Sequence, residues 1–218
     1  MGLLGAVLYI SLFSKWSDPI TATVVDSETN QAIEGVVVVA DWKLTGGFEG
    51  STPAGHLAVM EAVTDNAGRF HFRRWGPRFS LLSGLRAEEP ELFFFKSGYG
   101  SLEIDNQAAG RWHGMRVKSI VNGTRVKLVK FRGTPEEYFK NVQEFGNTLA
   151  SNLLGDDRAC PWKQIPRMIN TMDEQIQTLT GRAQGRFSAP HNDLIAGEEY
   201  YLKIGCGSAK EFLTGIVK

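Results

Sequence analysis

The chain is poor in the residues that most protein chemistry relies on. It has two cysteines and four histidines in 218 residues, which excludes a disulfide-dense secreted scaffold and any cysteine-rich zinc module. None of His56, His71, His113 and His191 has a Glu two intervening residues away, and no two stand at metal-ligand spacing. The His-x-x-Glu ligand pair of a zinc peptidase is therefore missing. No Gly-x-Ser-x-Gly elbow is present to expose a nucleophilic serine. Neither charge is in surplus, because 24 basic residues balance 24 acidic ones, so no global field recruits nucleic acid. No apolar run approaches the roughly 18 residues that read as a membrane span. There is no low-complexity segment and no repeat of fixed period, and a hydrophobic fraction of 42% with 22% charged residues is that of an ordinary globular protein.

What is present is a pair of strand-turn-strand stretches. In the first, Thr21, Thr23 and Val25 alternate with Ala22 and Val24, a period of two that suits a half-buried pleated surface. Asp26 to Gln31 is a run of turn formers, and Gly35 then leads into the apolar, β-branched Val36 to Val39. In the second, Leu57, Val59 and Val63 lead into Asp65-Asn66-Ala67-Gly68, a turn ending in the residue that most easily takes a positive φ. Phe70 and Phe72 follow, alternating with Arg69, His71 and Arg73.

These residues carry a resemblance. Val24, Asp26, Ile33, Gly35 and Val37, followed by Thr64, Asp65, Gly68, Phe70 and Phe72, resemble the motifs of the carboxypeptidase regulatory-like domain family. Leu92 to Lys96 with Gly98-Tyr99, and the strand Val126 to Lys130, resemble that family's later strands. The likeness covers about residues 18–131. It implies a transthyretin-like, seven-stranded antiparallel β-sandwich with no catalytic role, since in peptidases that carry this domain it is an accessory to a separate catalytic unit. The Gly-rich insertion Gly46 to Gly55 and the long segment Arg74 to Glu91 depart from the pattern. Enzymes that share the sandwich leave no trace here. The chain lacks the terminal Tyr-Arg-Gly-Ser of hydroxyisourate hydrolases and the Tyr/His iron-ligand cluster of intradiol dioxygenases.

The chain divides into three parts: an apolar segment at 1–17, the sandwich at 18–131, and a helical hairpin with a C-terminal strand at 132–218, expected to pack on the sandwich. Gly2 to Phe13 is nearly uninterrupted apolar sequence, about the length of an export-signal core. No Lys or Arg precedes it, no small-x-small cleavage site is clear before Trp16, and no Cys follows it. It reads as an export signal or an anchor, with a buried N-terminal strand or helix as the alternative. Cys160 and Cys206 are an even pair, expected to bridge in an exported chain, the alternative being two unrelated thiols.

In the third part, Thr134-Pro-Glu-Glu137 starts a helix with N-cap, first-turn proline and capping-box glutamate each in place. Tyr138, Val142, Phe145, Leu149 and Leu153 give it an apolar stripe. A second helix is expected from Pro166 to Leu179, and a final strand over Glu198 to Gly205. The two helices are expected to pack within the chain. Asn122-Gly123 predicts a hairpin between Met115–Val121 and Thr124–Phe131, a better account of Asn-Gly-Thr than a glycan acceptor.

Candidate sites are sparse. Trp42, Trp75 and Trp112 stand near loops and could form a stacking platform for a glycan or peptide. Asp26, Gly35, Asp65 and Gly68 are read as turn makers that define the fold rather than as calcium ligands. Arg69, Arg73, Arg74, Arg78 and Arg86 form a basic cluster read as a solvated face. The expectation is a non-enzymatic cell-envelope protein with no cofactor, no metal and no nucleic-acid partner. It would bind a protein or glycan through loops and a sheet edge, and associate with a membrane through residues 2–13. The alternatives are a carbohydrate-binding module and a small hydrolase or metal enzyme whose site gathers distant residues.

Overall fold

A computed structural model of the chain describes residues 14–46, 52–79, 86–87, 90–105, 116–117, 119–154, 159–181 and 188–216. The expectations placed on residues 2–13, on Trp112 and on His113 fall outside them. The strands are β1 (Ser14–Ser17), β2 (Ile20–Asp26), β3 (Val37–Gly46), β4 (Thr52–Val63), β5 (Arg69–Phe72), β6 (Trp75–Phe79), β7 (Arg86–Ala87), β8 (Glu91–Phe95), β9 (Leu102–Ile104), β10 (Arg116–Val117) and β11 (Arg125–Leu128). Five α-helices follow among the described residues: α1 (Pro135–Leu153), α2 (Pro166–Thr180), α3 (Ala189–Ala196), α4 (Glu198–Lys203) and α5 (Ala209–Ile216). A short 3₁₀ turn at Pro161–Gln164 precedes α2.

The strands form three sheets, ordered β10-β1-β6, β11-β2-β5 and β4-β3-β8-β9, with β7 also pairing β3. Two apolar cores lie on opposite faces of the largest sheet. On one face, Val38, Ala40 and Trp42 of β3 and Leu92 and Phe94 of β8 pack with Ile20, Ala22 and Val24 of β2, Phe70 and Phe72 of β5, and Val126 and Leu128 of β11. On the other, Val37, Val39, Phe93 and Phe95 pack with the stripe of α1 (Tyr138, Val142, Phe145, Leu149) and of α2 (Met168, Ile169, Met172, Ile176). Strands β3 and β8 are thus covered on both sides, which is why Val36 to Ala40 and Leu92 to Phe95 are continuous apolar runs rather than alternating ones.

The helices cover the sheet within the same chain, as expected. Helix α1 begins on the capping box: the Glu137 amide donates to Thr134 Oγ1 at 3.2 Å and the Thr134 amide donates to Glu137 Oε2 at 2.8 Å. Helix α2 ends where Gly181 takes φ +61°.

Two expectations need correction. The segment Glu198 to Gly205 is mostly helix α4, not a strand. Only Tyr201 of its six helical residues is buried, while Tyr200 and Leu202 on either side are exposed, so no two-residue face exists to join a sheet. The Glu198 carboxylate instead accepts from the amides of Ala209 and Lys210 at 2.7 and 3.1 Å, which starts α5. The second concerns Asn122-Gly123. The turn forms, with Gly123 at φ +77°, but β11 beyond it pairs in parallel with β2 rather than folding back on the segment before the turn. The Asn122 side chain explains why: its Oδ1 accepts from the Thr21 amide at 2.8 Å and ties the turn to β2.

Candidate functional site

The face of the large sheet that meets the helices changes character along β3. Val37 and Val39 are apolar, and the next outward positions are Asp41 and Lys43. Glu91 is the corresponding position at the start of β8, opposite Asp41. Glu103 of β9 pairs opposite Phe93, which puts it on that same face.

His56 joins them because β4 is bulged. Trp42 pairs with Ala58 and Lys43 with His56, so Leu57 is the extra residue. Without the bulge, Leu57 would face the helices and His56 the inner core. With it, Leu57 and Ala58 both enter the inner core, and His56 turns to the helix side beside Asp41. A one-residue insertion thus reverses the facing of the strand that precedes it.

The resulting cluster is compact. Asp41 is fully buried, and its Oδ1 lies 2.6 Å from His56 Nδ1. Its Oδ2 is buried with no hydrogen-bond partner among the described residues. Burial pushes the Asp41 carboxyl up, while the hydrogen bond and charge of His56, and the charge of Lys43, pull it back. Lys43 Nζ pairs with Glu91 Oε2 and reaches Asn152 Oδ1 on α1 at 2.6 Å, linking sheet to helix layer. Desolvation, then the hydrogen bond and charge of Glu91, raise the Glu103 carboxyl to about 7. Chemically the cluster offers a buried Asp–His pair and a carboxyl that exchanges its proton near neutral pH. Such groups can hold or pass a proton. They also join β3, β4, β8 and α1 at the open end of the sheet–helix contact. Among the described residues no group of three or more His, Cys, Asp or Glu side chains could hold a metal ion.

A second polar cluster lies within the helix layer. Asp173 of α2 is buried; its Oδ1 accepts from the Ser188 amide and hydroxyl, and its Oδ2 lies 2.7 Å from His191 Nδ1. The carboxylate that anchors the start of α3 comes from fifteen residues away in the chain. Glu61 of β4 does comparable work for α2, accepting from the Arg167 and Met168 amides at 3.1 and 2.7 Å.

The sequence-based candidates sort as follows. Trp42 is fully buried and Trp75 is 6% exposed; their rings meet edge to face at 5.8 Å, and Trp42 meets Phe72 in the same manner. These two close one end of the inner core, so neither offers a face to a sugar, because stacking inside a sheet pair excludes a ligand. His56, His71 and His191 do not meet: His56 pairs with Asp41, His71 with Thr21 and His191 with Asp173. Cys160 and Cys206 are bridged, with Cα atoms 5.7 Å apart.

Asp26 makes its turn by accepting from the amides of Glu28 and Thr29, and these bonds hold its carboxyl down to about 2. Its Oδ2 also accepts from the Tyr99 hydroxyl at 3.1 Å. Asp65 accepts from the Ala67 and Arg69 amides. Gly35 and Gly68 sit at φ +72° and +70°, and a Cβ on Gly68 would lie 2.5 Å from the Val24 carbonyl.

No helix among the described residues is long and apolar enough to cross a membrane. No family model matches the chain, and no curated protein does. Among solved structures it is similar to the wild-type catechol 1,2 dioxygenase of Acinetobacter radioresistens, at 17% identity and a TM-score of 0.29 over 55% of this chain and 53% of that one. A point mutant of the same enzyme gives 15% identity and a TM-score of 0.28 over the same shares. The chain spans about half the length of the solved structures it matches. A likeness of this size carries no statement about activity.

Proposed function

We propose that this is a cell-envelope protein of binding or structural role, built on a transthyretin-like sandwich of the carboxypeptidase regulatory-like kind with a disulfide-stapled helical layer. The observation that carries the reading is the Cys160–Cys206 bridge, whose Cys206 is 1% exposed within the helix-layer core. A bridge of this kind persists in an oxidising compartment. Two further features support a non-catalytic role. The sandwich motifs Asp26, Gly35, Asp65 and Gly68 are consumed by turns, and both Asp–His pairs sit at junctions between elements.

Fractionation of the source cells, with alkylation before reduction and mass measurement of the intact chain, tests the reading. The expected result is an envelope-associated protein with no alkylated cysteine. A cytosolic pool carrying two alkylated thiols refutes it.

One observation favours a second reading, a small hydrolase: the buried Asp41–His56 pair beside Lys43. A panel of ester and amide substrates turned over by the native chain and not by His56→Gln would establish it.

A further inference from the structure

The β11-β2-β5 sheet has one face in the inner core and one face outward. Alternation puts Ile20, Ala22, Val24, Phe70, Phe72, Val126 and Leu128 inside. The outward positions are Thr21, Thr23 and the buried Val25 on β2, Arg69 and His71 on β5, and Arg125 and Lys127 on β11. No acidic side chain occupies any of the seven. Arg125, Thr23 and Arg69 stand in one row across the sheet, and Thr21 and His71 in the next. At ordinary strand spacing the two arginines are about 10 Å apart across the threonines, and Arg125 and Lys127 about 7 Å apart along β11. Arg73, the next outward position past β5, is exposed as well.

In a chain whose charges balance, a face of one sign means that the charge is segregated. Arg69 shares Asp65, an exposed pair at 3.3 Å. Arg125, Lys127 and Arg73 form no ion pair among the described residues. Of the arginines read from the sequence as a solvated face, Arg69 and Arg73 thus share a wider surface with Arg125 and Lys127 of β11, more than fifty residues downstream.

Three features choose the partner. The middle strand carries only the short Thr21 and Thr23 and the buried Val25, so the longer cations flank it on both sides rather than close around one anion. Exposed aliphatic side chains border it: Val129, 59% exposed, is the next outward position after Lys127, and Ile120, 53% exposed, lies in the turn that Asn122 ties to Thr21. Finally, the apolar run ending at Phe13 lies seven residues before Ile20, at most about 24 Å of extended backbone from the first residue of this sheet.

We propose that the outer face of the β11-β2-β5 sheet is a docking surface for an anionic phospholipid membrane, Arg69, Arg125 and Lys127 meeting headgroup phosphates and Val129 and Ile120 entering between them. The envelope reading supplies only the place where protein and bilayer would meet. Binding is measured on purified protein and localisation on cells, so either can fail alone.

The test is co-sedimentation of the full chain with vesicles of phosphatidylcholine, alone or mixed with phosphatidylglycerol. Binding is expected to be tighter to the mixed vesicles and to weaken as salt rises. Arg125→Gln with Lys127→Gln should weaken that binding roughly 25-fold, about fivefold for each cation removed. Lys140→Gln with Lys203→Gln, on the helical layer, should leave it unchanged, and matching thermal melts would show that all variants fold. Equal affinity for both vesicle types overturns the proposal, as does a β11 double variant that binds like the native chain. Displacement from the vesicles by soluble inorganic polyphosphate at matched phosphate overturns the lipid assignment in favour of a free polyanion.

Discussion

Removing the Cys160–Cys206 bridge perturbs the helix layer in a way whose size follows from the chain. The bridge closes a loop of 46 residues that contains the 3₁₀ turn, α2, α3 and α4. In the chain-entropy model, opening a loop of that length releases about 4 kcal/mol of denatured-state entropy at 25 °C. Both cysteines replaced by alanine keep the apolar packing at Cys206 without leaving a buried thiol. For a chain of this size about 4 kcal/mol corresponds to a melting point lower by roughly 8 to 16 °C. Thermal melts followed by circular dichroism and by tryptophan fluorescence read it, the latter because Trp162 packs against Tyr201 inside the closed loop. Reductant should lower the melting point of the native chain to that of the variant and leave the variant where it was. Native and variant proteins melting together without reductant would refute the reasoning, since the helix layer would then be held by apolar burial alone.

Stability should also depend on pH in a particular sense. Glu103, raised to about 7, and the buried Asp41 favour the folded state when protonated. Their contribution is complete below the ordinary carboxylate range; that of Glu103 is lost as pH rises through about 7, and that of Asp41 as pH rises above its ordinary range. Asp26, lowered to about 2, and Asp65 and Glu198, also lowered, contribute above that range and lose their effect in stronger acid. Melting points measured from acid to alkaline pH should therefore peak on the mildly acidic side, and Glu103→Gln should flatten the decline toward pH 7. A maximum above pH 8 would contradict the assignment. Removing the partner of Asp41 should be costly out of proportion to its size. His56→Ala leaves Asp41 buried without its hydrogen bond, a loss of about 3 kcal/mol or more in urea unfolding. A variant within about 0.5 kcal/mol of the native chain would show that the pair does not hold this end of the sheet.

Much of the local structure was legible because its causes are local. The turns at Asp26 and Asp65, the glycines at positive φ, and the capping box of α1 each depend on side chains within a few residues of the backbone they bond. The apolar stripes of α1 and α2 announced that these helices must cover something. The runs from Val36 and from Leu92 read as strands, but that both of their faces are buried follows only from the two cores. Local pattern failed where the partner lay far away. Glu198 to Gly205 looked strand-like until Glu198 was seen capping α5. Asn122-Gly123 makes a turn in either arrangement, and only the Thr21 amide, about a hundred residues away, directs the chain into parallel pairing.

The candidate site was illegible for the same reason. Asp41, Lys43, His56, Glu91 and Glu103 come from four strands and have no fixed spacing, and no sequence period reports a bulge that reverses the facing of one of them. Trp42 and Trp75 were visible as aromatics near loops, yet burial is a property of what packs over a side chain. The sequence by itself determined the turns, the helix starts and the alternation of each strand, because those follow from backbone geometry and short-range hydrogen bonds. Tertiary structure alone decided which faces meet: a second core on the far side of β3, an Asp–His pair beneath α1, and a basic surface shared by β5 and β11. Those juxtapositions depend on long-range register, which no single segment encodes.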